Sequence, residues 1–158
     1  MVEAELSCLL SDLSQAAEIL NRESDAVNEL IRRFEERLRL LNLGLEVWCS
    51  EPLATEPTDL ANDEEVSEPG TIDTELGWAK NYREWELSLR ERAYRRSSES
   101  RSGWEPVRTD HQYPLREASR QLRIAALKHF PELLQGLTHE AQQAVKAIED
   151  AKRFAELC

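Results

Sequence analysis

Apolar residues in the first forty positions recur at steps of three and four: Leu6, Leu9, Leu13, Ala16, Leu20, Val27, Leu30, Phe34, Leu38 and Leu41, with one gap at Glu23. At 3.6 residues per turn, such spacing gathers them on one side of an α-helix. No proline interrupts the run. The pattern predicts one long helix over residues 2–42, about 60 Å from end to end. From Leu30 the steps read four, four and three, a stutter of the coiled-coil type. Asn42 and Gly44 both tolerate the left-handed backbone of a C-cap and end the helix.

The period then changes to two. Leu43, Leu45, Val47 and Cys49 alternate with Gly44, Glu46, Trp48 and Ser50, which predicts a strand over 43–50. Residues 51–75 lose all periodicity. Pro52, Pro57, Pro69 and Gly70 lie among acids there, and the stretch reads as an acidic flexible loop. Alternation returns in Leu76, Trp78 and Lys80, then in Trp85, Leu87 and Leu89, on either side of Asn81-Tyr82-Arg83. This predicts a β-hairpin over 76–90 that takes strand 43–50 as its third member. Residues 91–113 are rich in Arg and Ser and read as a second loop, with an edge strand near Trp104, Pro106 and Val107.

Pro114 suits the first turn of a helix over 114–157. Its stripe runs through Leu115, Leu122 and Phe130 and resumes at Leu134, Leu137, Ala141, Ala144 and Ile148. Pro131 removes a backbone donor between the two halves and kinks it. The expected fold is α+β and mainly α, in a single domain over 1–158. Two long amphipathic helices pair antiparallel, with a three-stranded antiparallel sheet inserted between them. Two helices alone leave each seam half covered, so two chains closing into a four-helix bundle, a homodimer, is an expected assembly.

Composition supports a thin core: 41% of residues are apolar, 32% charged, and only five are glycine. Charge changes the picture more. Residues 51–75 hold nine acids and no Lys or Arg, whereas residues 80–128 hold twelve bases against seven acids. A chain of net charge −11 segregated this way holds a partner, or itself, by charge. No run of 18 apolar residues exists, so no membrane partner is expected, and the start of the chain is acidic where a secretory signal is basic. Cys8, Cys49 and Cys158 are far apart and odd in number, which favours a reducing, cytoplasmic setting.

Catalytic signatures are missing from the sequence. His129 and His139 lie ten residues apart on one helix, about 15 Å in height, too far to share a metal. Cys49 is a conceivable nucleophile only if a base such as His111 reaches it. Acidic pairs such as Glu35/Glu36 point about 100° apart on a helix and do not converge. No Gly-x-Gly phosphate loop occurs. The expectation is no enzyme, no cofactor and no metal.

The strongest lead is the set Arg92, Arg95, Arg96, Arg101, Arg116, Arg120 and Arg123, with Trp104 beside it. Arg116, Arg120 and Arg123 step by four and three and so share a helix face. Such a set can stay solvated or pair internally, meet an acidic protein, or clamp nucleic acid by phosphate contact and stacking. Its counterpart is the acidic set Asp63, Glu64, Glu65 and Glu68, which could cover the arginines as a latch or cap a basic site elsewhere. The function these features favour is a non-enzymatic protein-interaction module: an adaptor, accessory subunit or small regulator. The alternatives are a nucleic-acid-associated accessory factor and an acidic inhibitor or antitoxin.

Overall fold

The computed structural model describes residues 2–61, 67–98 and 100–156. The element order is α1 (Val2–Leu41), β1 (Val47–Trp48), β2 (Ala54–Ala61), β3 (Ser67–Asn81), β4 (Glu84–Arg96), β5 (Trp104–Pro114), a 3-10 turn (Leu115–Glu117), α2 (Arg120–Ala126), a second 3-10 turn (Leu127–His129) and α3 (Phe130–Glu156). All pairings are antiparallel. The sheet order is β1-β3-β4-β5, and β2 lies on the same edge of β3 as β1, further along.

This corrects the three-stranded expectation. The sheet has five strands among the described residues, and both stretches read as loops contribute strand. Proline explains the error, because each proline sits where a strand tolerates it. Pro57 lies in β2, an edge strand, opposite Thr71. Pro69 pairs only toward β2, since the β3–β4 ladder begins at Gly70. Pro106 lies in β5, whose register against β4 shifts between Glu91/Arg92 and between Ala93/Tyr94. Pro52 falls in the break between β1 and β2, bracketed by backbone bonds from Cys49 N–H to Leu76 and from Leu53 N–H to Thr74.

Charge explains the rest. The acid-rich β3 lies directly against the arginine-rich β4, with Glu75 opposite Arg90 and Asp73 opposite Arg92. Opposite charges across a ladder stabilise it. At Glu75 and Asp73 the segregation visible along the chain is thus met inside one sheet.

One face of the sheet carries Leu76, Trp78, Leu87 and Leu89, all buried. They form the core with Ile31 and Leu38 of α1, Leu115, Ala126, and Leu133 and Leu137 of α3. At Gly136 a Cβ would fall 2.7 Å from Val47 Cγ1, so the missing side chain lets α3 close on β1. On the other face Trp48 lies flat over its partner Gly77, where an added Cβ would fall 2.3 Å from the indole.

β5 pairs with β4 only from Ser88 onward, which leaves the start of β4 with an open edge. Helix α1 closes it. Leu87 N–H donates to Glu35 Oε1 at 2.8 Å, and Arg39 Nε donates to the Trp85 carbonyl at 2.9 Å. The two side chains are one turn apart and pair with each other at 3.5 Å. Unpaired strand edges template unwanted pairing, and this contact removes one.

The helices also differ from expectation. The buried seam of α1 is Ser24, Ile31 and Leu38, with Val27 and Phe34 partly buried against the core; Leu30 is 54% exposed. Extended toward the N-terminus, this seam reads Leu6, Leu10, Leu13, Ala17, Leu20, alternating steps of four and three without the gap or the stutter. Nor are α1 and the C-terminal helices antiparallel. Arg120 Nη2 donates to Asn21 Oδ1, Phe34 stacks on Phe130 with centroids 4.2 Å apart, and Leu38 and Leu41 share a groove with Leu134 and Val145. Contacts rise together on both sides, so the pair runs parallel. The C-terminal run is broken at the 3-10 turn Leu127–His129, just before Pro131, where a bend was expected.

Candidate functional site

Two surfaces compete for function: the charged face of the sheet and the apolar faces of the helices. On the sheet, Glu75 is the hub. Its side chain is only 6% exposed, and Arg90 Nε meets it at 2.6 Å. Arg92 approaches at 3.7 Å, and the Tyr94 hydroxyl donates at 3.4 Å. Arg90 also lies over the Trp48 ring at 4.3 Å, so Gly77, Trp48 and Arg90 form one stack. A carboxylate buried this deeply needs such partners, because losing them leaves a charge stranded in low dielectric.

The predicted arginines do not act as one patch. Arg92 serves Glu75 and lies over Tyr94 at 5.5 Å. Arg95 pairs with Glu105 at 3.2 Å, and Arg96 lies over Trp104 at 5.7 Å. Arg101 is exposed in the turn between β4 and β5. Arg116 bonds the buried carboxylate of Glu86. Arg120 reaches Asn21, and Arg123 folds back to donate to the carbonyls of Arg116 and Ala118. Arg116 stands in a 3-10 turn, separated from α2 by Ala118 and Ser119, so the three-arginine helix face does not form. Of the acidic set, Glu68 pairs with Leu60 in the β2–β3 ladder. Asp63, Glu64 and Glu65 lie outside the described residues.

Cys49 is 3% exposed and its Sγ points at the His129 carbonyl, 3.8 Å away. Burial, helped by the charges of Glu132 and Glu75, pushes its thiol up to about 12. It packs in the core, and burial of this kind disfavours the reactive thiolate. His111 stacks on Tyr113, with ring centroids 5.0 Å apart.

The structure also assembles a group that the spacing did not suggest. Ligand-type atoms of Glu51, His129 and Glu132 lie within 4.8 Å of one another. Glu132 Oε1 accepts from Ser50 N–H and Oγ at 2.7 and 2.8 Å and from Glu51 N–H at 3.4 Å. Glu132 Oε2 lies 3.6 Å from His129 Nδ1. This group clasps the loop after β1 to the first turn of α3. Eighty residues separate the two sides, so no local motif announces it.

The helix arms are the other surface. Over residues 5–23 every residue but Ala17 is exposed, and Leu6, Leu9, Leu10, Leu13, Ile19 and Leu20 are each 50–64% exposed. Val145, Ile148 and Phe154 of α3 are 55–70% exposed. Between the end of α1 and α3 lies an apolar groove of about 420 Å³, lined by Leu38, Leu41, Leu43, Leu134, Leu137 and Val145 among others. Scattered apolar residues on a surface are ordinary; contiguous stripes of this length mark interaction sites. No helix among the described residues is long and apolar enough to cross a membrane.

Compared with known proteins, the chain matches no family model, no curated protein and no solved structure.

Proposed function

We propose that this protein is a non-enzymatic interaction module that engages another protein chain through the apolar faces of its helix arms. One observation carries the reading: the seam that is buried against the core from Ser24 to Leu38 continues uncovered from Leu20 back to Leu6. An amphipathic helix of that length is marginal in water alone and gains most of its stability from packing. The five-stranded sheet then serves as the body that holds the arms, and exposed charges near them select among partners.

The test uses the tagged full-length chain as bait, compared with Leu10→Glu/Leu13→Glu. Retention of protein after nuclease treatment, lost in the double variant, is the expected result. Equal recovery by both baits would overturn the proposal.

A nucleic-acid reading rests on the tip of the β4–β5 hairpin, where Arg95, Arg96 and Arg101 are exposed, Arg95 beside Glu105 and Arg96 over Trp104. Arg92, Arg116, Arg120 and Arg123 have partners within the fold, which leaves them less free for phosphate. Fluorescence anisotropy with labelled single-stranded DNA checks it: affinity that falls steeply with salt and vanishes in Arg95→Glu/Arg96→Glu/Arg101→Glu favours this alternative.

A further inference from the structure

The two helix arms leave the body at opposite ends. Because α1 and the C-terminal helices run parallel, Asn21 sits level with Arg120, and Leu41 shares its groove with Ala141 and Val145. The pair is therefore staggered. Residues 5–20 of α1 extend past one end, and residues 146–156 of α3 extend past the other. The overhangs are about 24 Å and 16 Å long at 1.5 Å per residue.

We infer that these overhangs are the two halves of one joint between copies of this chain. The α1 arm of one copy lies along the α3 arm of the next, entering the groove where that copy's own α1 ends. This rests on the interaction-module reading and names its partner as a second copy.

Three features favour that occupant. The first is continuity. The groove is built mostly from α3, with Leu38 and Leu41 of α1 and Leu43 just after it on the other side, and it lies where α1 ends at Leu41, which is 61% exposed. An incoming α1 arm would continue the same parallel pairing. The second is size. The α1 arm presents Leu6, Leu10, Leu13 and Leu20, while the α3 stripe presents the small Ala141, Ala144 and Ala151 around Val145 and Ile148. Large side chains facing small ones allow close helix packing. The third is charge. The α1 arm carries Glu5, Asp12 and Glu18 and no base. A second α1 arm would add only acids, whereas the α3 arm sets Lys146, Lys152 and Arg153 against Glu149, Asp150 and Glu156, with Arg153 3.8 Å from Asp150, and so adds no net charge.

Unlike surfaces make a heterologous contact. Each copy keeps one free arm of each kind, so association continues into rings or open filaments and does not stop at a two-fold dimer.

Sedimentation of the full chain from low to high micromolar concentration tests the joint. The mass of the parent should rise past that of two chains. Leu10→Glu/Leu13→Glu and Val145→Glu/Ile148→Glu should each remain monomers, with circular dichroism showing the fold retained, since all four sites are exposed. Mixed together, the two variants should form a two-chain species and stop there, because each retains the half the other lacks. A monomeric parent would overturn the joint, as would self-association of Val145→Glu/Ile148→Glu at the parent's level. A monomeric parent whose capture of another protein is lost in Leu10→Glu/Leu13→Glu would overturn self-pairing and leave the interaction module standing. A monomeric parent with no capture would end both.

Discussion

Single side chains in this protein owe their properties to what the fold brings beside them. Cys49 and Cys8 share a chemistry but not an environment: Cys49 is buried with its thiol raised to about 12, and Cys8 is exposed. At mildly alkaline pH, iodoacetamide should label Cys8 readily and Cys49 only after denaturant is added, as read by peptide mapping. Comparable rates would contradict the buried placement. Glu132 and Glu35 titrate in opposite senses. Burial pushes the Glu132 carboxyl up, but bonds from the Ser50 hydroxyl and N–H, the Glu51 N–H and His129 outweigh it and hold it below 4.5. Its stabilisation is present above that value and is lost as pH falls through the lowered folded value. Glu35 is held above 4.5 by burial, despite its bond from Leu87 N–H and the charge of Arg39. Its favourable contribution is complete below 4.5 and fades as pH rises through the raised folded value. Urea midpoints across pH should show Glu132→Gln converging on the parent as pH drops below 4.5, and Glu35→Gln gaining on the parent as pH rises above it. Parallel curves would refute both placements.

Among the elements, the sheet is held by devices that no single strand displays. Gly77 accepts the Trp48 ring on one face of β3 while Leu76 and Trp78 fill the other. Gly77→Ala should displace the indole, and with it the cation above, at a cost of about 1–3 kcal/mol. Thermal unfolding checks it, and an unchanged midpoint would mean that the ring does not rest there. The two-residue turn between β3 and β4 places Tyr82 at φ 54° with its side chain fully exposed. A left-handed backbone strains a residue with a Cβ, so Tyr82→Gly should stabilise by about 1 kcal/mol. The alternation around Leu76, Trp78, Leu87 and Leu89 was legible as a hairpin because one face of it is buried. Its flanks were not legible. Their acids and arginines look solvated until Glu75 and Arg90 are placed opposite each other, and their prolines look like loop markers until the strands are seen to be edges or ladder ends.

For the molecule as a whole, stability is unevenly spread. The core lies between the sheet and the middle of the helical pair, and both ends of that pair lack tertiary cover. Hydrogen exchange should therefore be slow at Leu76, Leu87 and Leu89 and much faster over residues 5–20 and 146–156 of the dilute chain. If the arms join copies, protection there should rise with concentration while that of the sheet stays constant. Uniform slow exchange at all concentrations would mean that something else already covers the arms.

Periodicity and composition determined the long first helix, its end at Asn42, the central hairpin and the broken C-terminal helical run. Each of these is written in residues a few positions apart, which is the range over which the backbone repeats. The tertiary structure decided what those rules do not reach: the parallel sense and stagger of the helices, the five-stranded sheet, the clasp of Glu132 on Ser50, and the choice of Ser24 and Ile31 over Glu23 and Leu30 for the buried seam. Several side-chain sets satisfy a spacing of three and four, and only the surface packed against them selects one. Charge segregation likewise announced that opposite charges would meet. That Glu75 meets Arg90 and Asp73 lies opposite Arg92 follows from strand register, which depends on residues far apart in the chain.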